Sequence, residues 1–254
     1  MRGAAIATAG AELFSGLTYL RLLFRRKLVR WSRILKPPKW KSLAPLLKVG
    51  SAMLLRQVIL NVSFVSATRR AQSLDPTGVL PAAYSIVMQV YSLGIVVQLA
   101  IQATSATLVS SAKASEGGIP EARKVADRIF GWGALIGILQ GILQIVIVPK
   151  ILPLFSTLPE VIEAARYPSL IMSLVHVTNG IIFPGEGCML GLGSVRDLAI
   201  ITGVGVGVMV ACLSSSLGKR VEGIVLSILA FHLVEAVIMI WHYLKIGPLR
   251  KLQQ

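Results

Sequence analysis

The sequence predicts an all-α, polytopic transmembrane helical bundle, and three features predict it. Apolar residues make up 54% of the chain and charged residues 15%, with a mean hydropathy of +0.73. Soluble domains sit at roughly 45–50% apolar and about 25% charged. The apolar residues gather into runs of about 20, the length that carries a helix across a hydrocarbon core of roughly 30 Å. The basic residues, finally, are shared unequally between alternate connections. A β-barrel would instead alternate apolar and polar residues along strands of about ten.

Seven apolar segments follow in order: residues 3–24, 45–68, 79–112, 125–148, 164–192, 198–217 and 223–244. The first reads as a span that precedes the main bundle (1–24). It is not read as a signal peptide, because its positive charge follows the apolar run and Glu12 sits inside it. A basic linker, 25–44, comes next. Nine Lys and Arg lie between Arg21 and Lys41, with Leu28, Val29, Trp31, Ile34, Leu35 and Trp40 interleaved and no acid among them. Such a stretch either lies along an anionic lipid surface or acts as a solvated positive loop that sets topology. The formal net charge of +15 therefore points to lipid and topology, and nucleic acid is not an expected partner. The remaining six segments form a lobe over 45–245, followed by a short tail, 246–254.

Counting Lys and Arg by side gives seventeen on the side of the basic linker and six on the other. By the positive-inside rule the linker and the tail face the cytoplasm or its topological equivalent. The chain is thus expected to be an integral, multi-pass membrane protein.

Polar groups inside the spans are costly and so informative. Glu186 lies deep in the fifth segment with no basic residue within a helical turn; it suits the carrying of a proton or a cation, or else is a neutral acid hydrogen-bonded to a neighbouring helix. Pro184, Gly185 and Gly187 around it are expected to break the helix, since proline removes a backbone donor and glycine weakens both flanks. In the last segment Glu235 and His232 stand one turn apart, either satisfying each other or forming a second proton site. Arg56, mid-segment, calls for a carboxylate partner, of which Glu186 is one choice, and is also expected to line a substrate cavity. Gln98 and Gln102 share a face of the third segment with Tyr91 nearby, an arrangement that fits inter-helix hydrogen bonding or the lining of a substrate cavity. His176 reads as a packing histidine. The run Gly203-Val-Gly-Val-Gly207 is read as close helix packing. Cys188 and Cys212 lie in apolar runs and read as small buried hydrophobes, with no metal or disulfide expected. There is no nucleotide-binding loop, no His/Cys cluster and no Ser/His/Asp set, so the sequence calls for no cofactor and no enzyme activity.

The stretch 186–193, Glu-Gly-Cys-Met-Leu-Gly-Leu-Gly, resembles the acidic-Gly-x-x-x-Gly-x-Gly pattern in the tenth helix of the multidrug and toxic compound extrusion (MATE) family. Residues 82–92, Ala-Ala-Tyr-Ser-Ile-Val-Met-Gln-Val-Tyr-Ser, resemble the start of that family's eighth helix. Gln-Ala-Thr-Ser-Ala at 102–106 follows at the family's distance, and Gly-Ile-Pro-Glu-Ala-Arg at 118–123 resembles its loop into helix nine. The resemblance is closest to plant- and plastid-type members and places residues 3–24 as helix six, with the remainder as seven to twelve. It implies the C-terminal lobe of a twelve-helix secondary transporter in the plastid or plasma membrane. Such a protein exports organic cations or organic acids by antiport against protons or sodium, with a missing N-terminal lobe or a second copy as partner. One departure stands out: many eukaryotic members place a glutamate in helix seven, where this chain has Arg56 and no acid. Two other readings remain from the sequence, a non-transporting scaffold and a flippase for lipid-linked sugars.

Overall fold

The computed structural model describes residues 2–27 and 39–250; the core of the basic linker, residues 28–38, and the last four residues lie outside the described set. Among the described residues there are seven α-helices and no strand. They are α1 (Arg2–Arg25), α2 (Trp40–Leu74), α3 (Val79–Ala114), α4 (Gly118–Phe155), α5 (Pro159–Leu192), α6 (Val195–Ser214) and α7 (Val221–Trp241). A 3₁₀ turn, Ser216–Lys219, joins α6 to α7, and a π turn, His242–Ile246, closes the bundle.

The chain divides into two compact units, Met1–Lys48 and Val49–Gln254. The first holds α1, where Thr18 donates to the Phe14 carbonyl at 2.8 Å. Five helices (α2, α3, α4, α6 and the α7–π-turn element) are long and apolar enough to cross a bilayer. α1, read from sequence as a span, falls outside that group: Glu12, Arg21 and Arg25 together with its Ser, Thr and Tyr residues dilute its apolar content. α5 also falls outside it, again through dilution by polar residues. At 34 residues it is long enough, about 51 Å at 1.5 Å per residue. Its polar residues lower its mean hydropathy, and Ser169, Ser173, His176, Thr178, Asn179 and Glu186 among them are buried inside the bundle.

α5 is the hub of the second unit, packing against α3 on one side, α4 on another and α7 on a third. Helices in lipid approach closely where small residues line the seam. Gly133, Gly137 and Gly141 of α4 repeat every four residues and lie against α5. A Cβ on Gly137 would stand 2.7 Å from the His176 carbonyl oxygen and 2.8 Å from Gly180 Cα. A second seam joins α5 to α3, where Gly187 and Gly191 face the carbonyls of Gln102 and Ala106. Of the glycine run in α6 only Gly205 meets a neighbour, Phe231; Gly203 and Gly207 look onto open space.

Pro184, Gly185 and Gly187 do not break α5, which runs as helix from Pro159 to Leu192. The expected break is absent because each of these residues serves a contact. The Pro184 ring lies against Gly133, Gly185 lies against Met239, and Gly187 admits α3. The helix ends six residues later at Gly193, whose φ of +80° is the left-handed conformation glycine adopts most readily. Its N–H bonds the Leu190 carbonyl at 3.1 Å and the Ser194 N–H bonds Met189 at 2.8 Å, which closes the end of the helix.

α2 is attached differently. Ala67 and Ala71 are fully buried, and Arg70 Nε donates to the Gly218 carbonyl at 2.8 Å. Nearer mid-helix the link is Arg56. The turn into α3 is held by Asp75, whose Oδ1 accepts from the Thr77 hydroxyl at 2.6 Å and the Thr77 N–H at 2.8 Å, while Oδ2 accepts from Leu80 N–H at 3.0 Å. These bonds, the Thr77 hydroxyl first, hold the Asp75 carboxyl below its ordinary value of 3.8.

Candidate functional site

Three ionisable side chains from three helices meet at mid-bundle. Arg56 of α2, Glu186 of α5 and Glu235 of α7 are 7%, 4% and 2% exposed. Arg56 Nη2 donates to Glu186 Oε1, and Gln102 Nε2 of α3 donates to Glu186 Oε2, so both oxygens of that carboxylate are held. Arg56 Nε donates to Thr202 Oγ1 of α6 at 2.9 Å, and the same hydroxyl donates to Glu235 Oε1 at 2.7 Å. Thr202 can do both because a hydroxyl accepts and donates at once. One guanidinium thus ties α2 to α5 directly and to α7 through α6.

The cluster opens on a cavity of about 250 Å³ between α2, α3, α5 and α7. Arg56, Glu186, Glu235 and Gln102 supply its polar wall, and aromatic rings such as Tyr91, Phe183 and Phe231 supply much of the rest. His232 also lines it. Its Nδ1 faces the Ile228 carbonyl at 2.8 Å and must donate to it, which in the neutral ring leaves Nε2 as an acceptor. Tyr91 accepts from Asn179 Nδ2 at 3.0 Å and stacks on His176 with ring centroids 5.1 Å apart.

The expected partnership of Arg56 with Glu186 is present. The expected mutual satisfaction of Glu235 and His232 is not: one turn apart, they bond to different helices, Glu235 to Thr202 and His232 to its own backbone. Gln98 and Gln102 share a face but part company. Gln102 reaches Glu186, whereas Gln98, fully buried, donates to Gln140 Oε1 of α4 at 2.5 Å, and Gln140 in turn donates to the Gly94 carbonyl at 2.7 Å. Gln98 is therefore a helix-joining residue and does not line the cavity. His176 packs as expected, against Tyr91 and Gly94. Thr202 was missed from sequence. Its only signal was a hydroxyl beside glycine within an apolar run, a common and unremarked feature of membrane helices. Cys188 and Cys212 are both free thiols, Cys188 buried and Cys212 half-buried.

The MatE family model matches residues 52–214, more than half of the chain and all the site residues except those of α7. The chain belongs to the MatE family. Comparison with curated proteins finds no match. Two solved structures are similar at a TM-score of 0.67 and 15% identity, each alignment covering 79% of this chain and 44% of the other. One is an outward-facing multidrug resistance MATE family transporter of the MOP superfamily. The other is a MOP superfamily transporter from Pyrococcus furiosus, described as having a binding pocket of reverse polarity that suggests a different function. At that identity the likeness shows the fold alone, and the chain spans less than half the length of either structure. This MatE chain is a multi-pass integral membrane protein whose buried ionic cluster lies within the family-matched helices and in α7.

Proposed function

We propose that the chain is the C-terminal lobe of a secondary transporter, with α2–α7 as its six spans, working by alternating access. It exchanges small organic cations for protons, and coupling resides in the site formed by the buried carboxylates Glu186 and Glu235. The observation that carries this reading is that both acids, buried and on different helices of an apolar bundle, line one cavity. An ionised side chain there is costly unless a cation or a proton meets it. The aromatic wall suits the faces of an organic cation, since ring quadrupoles attract positive charge. The resemblance to plant and plastid members favours the plastid or plasma membrane, with a first lobe or a second copy completing the cavity. Anionic lipids are the proposed partners of the basic linker.

Competition between proton and cation at one site is measurable without transport. Binding of ethidium to the purified chain in detergent should weaken as pH falls, by about tenfold per pH unit where one proton is displaced. Affinity that is flat with pH, or rises in acid, would overturn the reading.

A further inference from the structure

We infer that Arg56 neutralises Glu186 permanently, so that Glu235 is the residue that takes the exchangeable cation, one positive charge at a time. The inference deepens the proposed function and names which carboxylate of that site exchanges and with what stoichiometry. It begins from the charges that meet in the cavity wall. One guanidinium faces two carboxylates, and the titratable neighbours are Tyr91 from α3 and His232 from α7, with Gln102 and Thr202 as neutral hydrogen-bonding partners. The Ile228 carbonyl fixes the proton of a neutral His232 on Nδ1, so in that form the ring adds no charge to the wall. With His232 neutral, the cluster carries a single surplus negative charge when both acids are ionised.

The two acids do not share that surplus equally. Glu186 has both oxygens engaged, one by the guanidinium itself and one by the Gln102 amide. Glu235 meets the guanidinium only through the Thr202 hydroxyl, and its Oε1 is the atom so bonded. Its other oxygen has no hydrogen-bond partner among the described residues, and the residue lines the cavity. A proton or a monovalent organic cation arriving in the cavity thus finds the uncompensated charge on α7, on a helix turn shared with His232. Arg56 acts as a tethered counter-ion that removes one of two carboxylates from the exchange. It is a specificity-determining residue: it limits the pocket to a single charge and so disfavours dications. The two acids in this reading do not act as equivalents, and the one outside the family-matched span does the exchanging.

The test reads the protonated carboxyl directly and needs no transport substrate. In pH-difference infrared spectra of the reconstituted chain, the wild type should show one buried carboxyl band that grows in acid. Glu235→Gln should abolish it. Arg56→Gln/Glu186→Gln, which removes the pair as a neutral unit, should keep it. Arg56→Gln alone should show two bands, and should bind the dication methyl viologen more tightly than the wild type does, by at least tenfold. Loss of the band in the double variant with retention in Glu235→Gln would overturn the inference in favour of Glu186. Two bands, or none, in the wild type would overturn the single surplus charge. Circular dichroism and size-exclusion profiles of each variant verify folding, and the double variant keeps the cluster balanced if Arg56→Gln alone does not fold. These outcomes are separate from the ethidium result. A correct band pattern with pH-independent ethidium binding would refute cation exchange and leave the charge assignment standing.

Discussion

A methyl group added at Gly137 probes how tightly α4 is seated on α5. The new Cβ would stand 2.7 Å from the His176 carbonyl oxygen, 2.8 Å from Gly180 Cα and 3.0 Å from Gly180 N. All three are backbone atoms in the middle of a helix, so none can swing aside as a side-chain tip would. Overpacking of this kind costs about 1–3 kcal/mol, and rigid neighbours put Gly137→Ala at the upper end. Alanine recovers at most about 1 kcal/mol through its better helix propensity. The net loss is about 2 kcal/mol, equivalent to roughly 4–8 °C in a chain of this size. Thermal unfolding in detergent, followed with a thiol-reactive dye that reports exposure of buried Cys188, measures it. Gly207→Ala is the matched control, since nothing lies within 4 Å of its Cβ position. It should unfold at the wild-type temperature or slightly above. Equal melting of Gly137→Ala and wild type, or an equal drop in both variants, would refute the seam.

Arg56→Ala leaves Glu186 buried without its counter-charge and should destabilise the chain by about 3–5 kcal/mol, with Glu186→Gln on the same background restoring most of it in a thermal melt. Arg123 donates to the Leu249 carbonyl at 2.6 Å and lies 4.0 Å from the Tyr243 ring, whose hydroxyl donates to Asp127 at 2.8 Å. Arg123→Ala should loosen residues 243–250 by about 2 kcal/mol, seen as faster amide exchange there with little change in the melt of the bundle. Asp75 has its folded value depressed, so its contribution is complete above 3.8 and is lost as pH falls through the lower folded value. Asp75→Asn should remove that acid-side loss, measured as exchange of the Leu80 amide in a pH series, while the wild type keeps it.

Much of the bundle was legible because lipid imposes a strong rule: the runs near 20 residues and the charged punctuation mark α2 to α7 closely. Glu186 and Arg56 were legible too, since a buried charge in an apolar run demands a partner whatever the fold. The partners of Glu235, Gln98 and Gln102 were not. Spacing of three or four residues places two side chains on one face of a helix, but it does not say which neighbour that face meets. Here Gln98 turns to α4 and Gln102 to α5, four residues on. The glycines at 133, 137 and 141 carry a readable signal in their spacing of four, whereas of the three at 203, 205 and 207 one packs. Pro184 misled for a related reason. A proline inside a helix costs a hydrogen bond, but a snug site against Gly133 can hold it without ending the helix.

The pair between Arg56 and Glu186 also dictates an order of assembly during synthesis. The two residues lie 130 positions apart. At about 5–20 residues per second, α2 leaves the ribosome roughly 7–26 s before its carboxylate exists. An arginine at the centre of an inserting helix costs about 2.5–3.5 kcal/mol on translocon scales. α2 is also the least apolar of the five helices that can cross a bilayer. Leucines such as Leu54 and Leu55 beside the arginine must offset that cost, and until then headgroups or water must solvate the guanidinium. Glu235, reached through Thr202, arrives later still. The first helix of the bundle to be made thus waits longest for its charge to be locked.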